Sequence, residues 1–245
     1  MSCRRPILAA VVLAVGLAVG GCGQADTPEG ADGAPNPSAA VPTAQATGIA
    51  DNPATEEASP EPAAEPPAGE PTQTATDHKV TYDWGTPSNI VTIEHPAAAP
   101  TPYLVAIYAG DHPEGDRPYQ RIAFYFRGGL PEYNLQYVPA VTGEATGEPI
   151  ALQGNAFLRI GFVNAQAHDD AGESTISVAP AESVGFQNLK SYRSAGDFEG
   201  HLTYGLGLQV APNSDQVLHV RAGELTKPAE AGGTYYVVYA DIETG

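Results

Sequence analysis

Asp111-His112-Pro113-Glu114-Gly115-Asp116 places three carboxylates in a turn-forming stretch, and His168-Asp169-Asp170-Ala171-Gly172-Glu173 places three more. Calcium takes roughly six to eight oxygen ligands at about 2.4 Å, often from one such loop, so Asp111, Glu114, Asp116, Asp169, Asp170 and Glu173 are calcium candidates. Neither loop has the helix-loop-helix calcium spacing, and acidic turns are ordinarily just solvated. Histidines stand at 78, 95, 112, 168, 201 and 219, with no pair at the i, i+2 or i, i+4 spacing of a local metal site. There is no Gly-x-Ser-x-Gly elbow, no phosphate-binding loop ending in Gly-Lys-Ser/Thr, and no His-Glu-x-x-His. A hydrolase would have to assemble its site from scattered residues such as His168, Asp169 and Asp197. No catalytic residue, cofactor or firm metal site is assigned, and the domain reads as non-enzymatic. Tyr125, Tyr133, Tyr137, Tyr192, Tyr204 and Tyr235 would form a stacking surface for glycan rings if exposed, or sheet packing if half-buried. Tyr125, Tyr133, Tyr137, Asp197 and Glu199 are the binding candidates. The only thiols are Cys3 and Cys22.

Cys22 has the most specific surroundings. Arg4 and Arg5 precede an apolar run, Ile7 to Val19, broken by Gly16, and Val19-Gly20-Gly21-Cys22 follows. Thirteen helical residues span roughly 20 Å, short of a bilayer core of roughly 30 Å, which fits a signal peptide over residues 1–21. The run before Cys22 resembles the lipobox of bacterial prolipoproteins. That resemblance implies diacylglyceryl transfer to the Cys22 sulfur, cleavage before it, and anchoring to the outer face of the cell membrane. Two acyl chains suffice for stable attachment. The mature chain would then hold no further thiol for a disulfide or a zinc-thiolate site.

The elements that must position any site begin late in the chain. Gly23 to Thr76 holds ten prolines and nine acidic residues, with no Lys, Arg or aromatic residue. Such a stretch cannot bury enough apolar surface to offset its ordering entropy, so residues 22–77 read as a disordered linker, a spacer of up to about 170 Å. From Asp77 onward, nine Lys and Arg stand against twenty Asp and Glu, a net −11. That balance opposes nucleic-acid binding and contact with anionic headgroups.

Residues 78–245 alternate with period two. Ile122, Phe124 and Phe126 share one face, opposite Arg121, Tyr125 and Arg127. Leu158-Ile160-Phe162 and Leu202-Tyr204-Leu206-Leu208-Val210 repeat the pattern. Tyr103 to Tyr108 and Thr234 to Ala240 suit central strands, and Val80–Trp84, Asn89–Glu94, Tyr133–Val138 and Asp215–Arg221 are weaker strands. Only Ala181 to Ser194 has helical spacing. Gly205 and Gly207, inside a strand pattern, mark a bulge or a close backbone approach. The expected fold is all-β, an antiparallel sandwich or partly open barrel.

Four segments carry a family resemblance: Tyr119 to Phe126, Leu130 to Val138, Ala167 to Gly172 and Ala195 to Gly207. Its most specific part is Gly196-Asp197-Phe198-Glu199-Gly200, which strand alternation does not explain. Residues 103–242 resemble the AMIN-like domain of actinobacterial lipoproteins and secreted proteins. The resemblance implies an all-β module without catalytic residues and, by analogy with the AMIN domain, a peptidoglycan or other wall-polymer partner. The expectation is a lipid-anchored envelope protein whose domain binds a wall polymer or an envelope protein. The alternatives are an envelope hydrolase and a carrier of a small apolar ligand in the sandwich core.

Overall fold

A computed structural model describes residues 74–212, 217–229 and 232–244. The signal, Cys22 and nearly all of the linker lie outside these residues. The described chain forms ten strands and no α-helix. They are β1 (Thr76–Gly85), β2 (Val91–Ile93), β3 (Tyr103–His112), β4 (Tyr119–Arg127), β5 (Glu132–Val138), β6 (Ala156–Val163), β7 (Leu189–Phe198), β8 (His201–Leu208), β9 (Val220–Pro228) and β10 (Thr234–Glu243). Two five-stranded antiparallel sheets, β1-β9-β10-β4-β3 and β2-β5-β6-β8-β7, pack face to face without closing into a barrel.

The core follows from the alternation. Ile122, Phe124 and Phe126 of β4 meet Leu158, Ile160 and Phe162 of β6, with Leu202, Leu206 and Leu208 of β8 beside them. Phe162 packs against Phe124 and Phe126 with ring centroids 5.1 and 5.0 Å apart. The void between the sheets, lined by Phe124, Tyr133, Leu135 and Ile160, measures about 10 Å³. That is at most the room one water needs, so the core is filled and the apolar-ligand carrier is overturned.

The outer face of the first sheet departs from simple alternation. Tyr125 faces outward, as the alternation predicts, but it is packed there in a second apolar cluster with Ala106, Ala123, Leu225, Val237 and Tyr239. The loop through Val178 lies along β3 and adds to that cluster.

The expected helical stretch at Ala181 to Ser194 is corrected: β7 occupies its second half. Backbone donors a helix would use internally are taken by tertiary partners. The Asn188 and Leu189 N–H groups both donate to Oε1 of buried Gln120 on β4, at 2.9 and 2.8 Å. The Tyr192 N–H donates to the Glu182 carbonyl at 2.9 Å. The expected strand at Asp215–Arg221 is also displaced, because β9 starts at Val220 and runs on to Pro228. Its inward Glu224 breaks the apolar pattern and accepts hydrogen bonds from Tyr133 OH (3.0 Å) and His95 Nε2 (2.9 Å).

The glycines of β8 do mark a close approach. A Cβ at Gly205 would lie 2.9 Å from side-chain carbons of Leu152 and Val141. One at Gly207 would run into the Gln153 carbonyl.

The four edge strands are blunted in three ways. The β3 edge is covered by chain 166–178, with Leu104 N–H donating to Gln166 and Ile107 N–H to Val178. Residues 182–185 cover β7, and β2 is three residues long. Strand β1 is long but carries three register shifts against β9.

Candidate functional site

The segment that strand alternation left unexplained is the β7–β8 hairpin. Glu199 (φ 50°) and Gly200 (φ 77°) form its two-residue turn, the left-handed pair required by the turn type that matches strand twist. Phe198 and His201 pair across it. The Ala165 N–H donates to the Gly200 carbonyl, tying the turn to the end of β6. Phe198 is 69% exposed, more than any other large hydrophobic side chain among the described residues.

A register shift between Ser194 and Gly196 lets a second loop dock. The Glu144 N–H donates to the Ala195 carbonyl at 2.8 Å. The Glu144 carboxylate then lies across Gly196, where any Cβ would collide with it. Thr203 Oγ1 donates to Glu144 Oε1, and Arg159 reaches Glu144 Oε1 (3.4 Å), Thr203 Oγ1 (3.2 Å) and Asn134 Oδ1 (3.0 Å). Between loop and hairpin lies a cleft of about 630 Å³, lined by Glu144, Ala145, Asp197, Phe198, Glu199 and His201.

Asp197 sits in its wall. Its Oδ2 accepts from the Ala167 N–H (3.0 Å) and from His168 Nδ1 (2.7 Å), while Oδ1 is buried without a partner. A carboxylate only accepts, so Nδ1 of His168 carries a proton. Two of the three residues named for a hydrolase are thus joined. The third, Asp169, is not: its Oδ1 accepts from the Ala171 and Glu173 N–H groups of its own turn, both at 2.9 Å. No hydroxyl is hydrogen-bonded to His168 Nε2 among the described residues.

The structure does not bring the calcium candidates together. Asp169 is occupied in its turn, and Asp111, Glu114, Asp116, Asp170 and Glu173 are exposed without converging. No group of three or more His, Cys, Asp or Glu among the described residues is placed to hold a metal ion.

The tyrosine surface is corrected too. Tyr125 and Tyr133 are each 1% exposed, and Tyr192 and Tyr204 are also buried. Half-buried Tyr137 donates its hydroxyl to the Leu218 carbonyl at 2.8 Å. Burial pushes the Tyr192 hydroxyl up to about 12 and raises those of Tyr133, Tyr137 and Tyr204 still further. These rings are packing, not platform. The open ring is Phe198, which lay inside the most specific motif but was not singled out. Its signal was a lone aromatic beside the Glu-Gly of a tight turn. Asp197 and Glu199 do line the cleft, as does His201 of the same segment, whereas Glu144 belongs to none of the motifs.

A second charged cluster lies on the outer face of the first sheet. Fully buried Asp241 accepts from Arg121 Nε (2.6 Å) and Nη2 (3.1 Å) and from Arg221 Nε (2.9 Å) and Nη2 (2.6 Å). Arg121 stacks 3.9 Å over Tyr239, and Arg221 4.7 Å over Trp84. Nearby, Arg117 Nε donates to Glu243 at 2.6 Å, and His219 contacts the other oxygen. The Arg117 hydrogen bond, helped by that from His219 and opposed by partial burial, holds the Glu243 carboxyl below its ordinary value. Each cation here has a carboxylate, so the cluster reads as structural.

Among known families, the AMIN-like domain matches residues 102–228. No curated protein matches the chain, and no solved structure does.

Proposed function

Because the chain belongs to the AMIN-like domain family, we propose that it is a non-catalytic envelope module that binds a cell-wall polymer through the β7–β8 hairpin cleft. The observation that carries this reading is the open Phe198 ring over a roughly 630 Å³, largely apolar cleft with Glu144, Asp197 and Glu199 in its lining. Binding sites pair an apolar contact surface with a few convergent polar groups, and the described chain offers that combination here. AMIN-like domains are associated with cell-wall or peptidoglycan binding, which agrees with such a ligand. In the same proposal Cys22 carries a lipid that holds the protein on the outer face of the cell membrane, and the acidic linker lets the domain reach the wall.

The test is retention of the full chain, in non-ionic detergent, on purified insoluble cell wall. Retention that falls sharply in Phe198→Ala supports the reading; absence of retention at low and moderate salt refutes it. A Cys22→Ser chain found in the medium and still retained on wall would separate anchoring from recognition.

A second reading, an envelope hydrolase, draws on the His168–Asp197 pair, because a carboxylate orienting an imidazole is half of a general-base arrangement. Wall digestion that His168→Ala abolishes would favour it over simple binding.

A further inference from the structure

The hairpin cleft has an electrical sign as well as a shape. Glu144, Asp197 and Glu199 line it, and its only ionisable donor is His201. Cations that would receive an anion are engaged: Arg159 on Glu144, Arg121 and Arg221 on Asp241, and Arg117 on Glu243. What the cleft offers is acceptor oxygen beside an open apolar ring.

We infer that the cleft takes an uncharged pyranose glycan, one whose rings carry hydroxyl and amide groups but no carboxylate or phosphate. This rests on the wall-binding reading above and names its ligand class. A pyranose ring has an apolar C–H face that stacks on Phe198, while its hydroxyls donate to Glu144 and Glu199. Acceptor-only carboxylates suit a hydroxyl donor and penalise an acceptor-only anion. One carboxylate on the order of 6 Å from an anionic group disfavours it about threefold in water. Arg159 offsets Glu144, so Asp197 and Glu199 together disfavour it about tenfold, less as salt screens them.

Titration calorimetry of the full chain in non-ionic detergent, against an N-acetylglucosamine tetramer and a galacturonate tetramer, tests this. The neutral tetramer should bind with little salt dependence. The charged one should bind at least about tenfold more weakly at low salt, with the gap closing as salt rises. Phe198→Ala should weaken the neutral tetramer about tenfold while leaving the thermal midpoint unchanged, because the ring is exposed. Glu199→Lys should narrow the gap between the tetramers. Equal or tighter binding of the galacturonate, or unchanged binding in Phe198→Ala, overturns the inference. Retention on whole wall with neither tetramer bound removes this ligand class and leaves wall binding standing. Loss of retention on wall removes both.

Discussion

Asp241→Asn should be among the most damaging conservative substitutions in the domain. The side chain is 0% exposed and accepts four hydrogen bonds from two guanidiniums. Asparagine keeps the shape but removes the charge that both arginines share. Breaking a buried pair by removing one partner costs about 3–5 kcal/mol. The Arg121 and Arg221 side chains are 11% and 22% exposed, so some water reaches the orphaned cations and the lower end applies, about 3 kcal/mol. With a urea slope of about 2 kcal/mol/M, the midpoint should fall by about 1.5 M with the slope unchanged. Trp84, the only tryptophan, stacks with Arg221 and reports unfolding by its fluorescence. Because Arg221→Met removes one of the two stranded charges, the double variant should cost about 1–3 kcal/mol less than the sum of the singles. A midpoint shift under about 0.5 M, or strict additivity, would refute the argument that the cluster is held by its buried carboxylate.

Three further outcomes are expected. Gly207→Ala should cost about 1–3 kcal/mol, read as a lower thermal midpoint, because its Cβ would enter the Gln153 carbonyl and approach Ser191 Oγ. Above pH 10 the fold should lose stability. Burial raises Tyr133, Tyr137, Tyr192, Tyr204 and Tyr239 above 10.0, so their contribution is complete below that value and drains away as pH rises through the folded-state values. Phenolate absorbance should then appear together with unfolding; gradual ionisation of a still-folded chain would contradict this. Glu243→Gln should destabilise the protein at neutral pH and match the parent in acid. The lowered Glu243 carboxyl stabilises above its ordinary value of 4.5 and loses that contribution as pH falls through the folded-state value. Parallel stability–pH curves for the two proteins would exclude it.

Much of the fold was legible because the sandwich core is built by residues of one sign and one period. Ile122-Phe124-Phe126 and Leu158-Ile160-Phe162 are the strand faces the alternation indicated, and they meet. Reading failed where a partner outside the local window decided the outcome. The 181–194 stretch becomes irregular chain plus strand because Gln120 and β8 claim its backbone. Strand β9 hid behind Gly223 and Glu224, since a buried glutamate is stable only beside Tyr133 and His95, which are distant in sequence. The alternation puts Tyr125 on the correct face, but that this face is itself covered depends on the distant loop through Val178. The candidate site was half legible. Asp197 and Glu199 came from a motif that periodicity could not explain, whereas Glu144 reaches them only through a docking onto Gly196 that no spacing announces.

The handling of the sheet edges limits how this domain can meet another polymer. Two edges are already occupied by the chain's own loops, one is three residues long, and β1 is broken by three register shifts. A straight strand from elsewhere finds three edges blocked or too short and the fourth, β1, bent by bulges, so partnership by shared backbone pairing is disfavoured. The same geometry protects many copies crowded on one surface from zipping together. Recognition then falls chiefly to side chains held out on loops and turns.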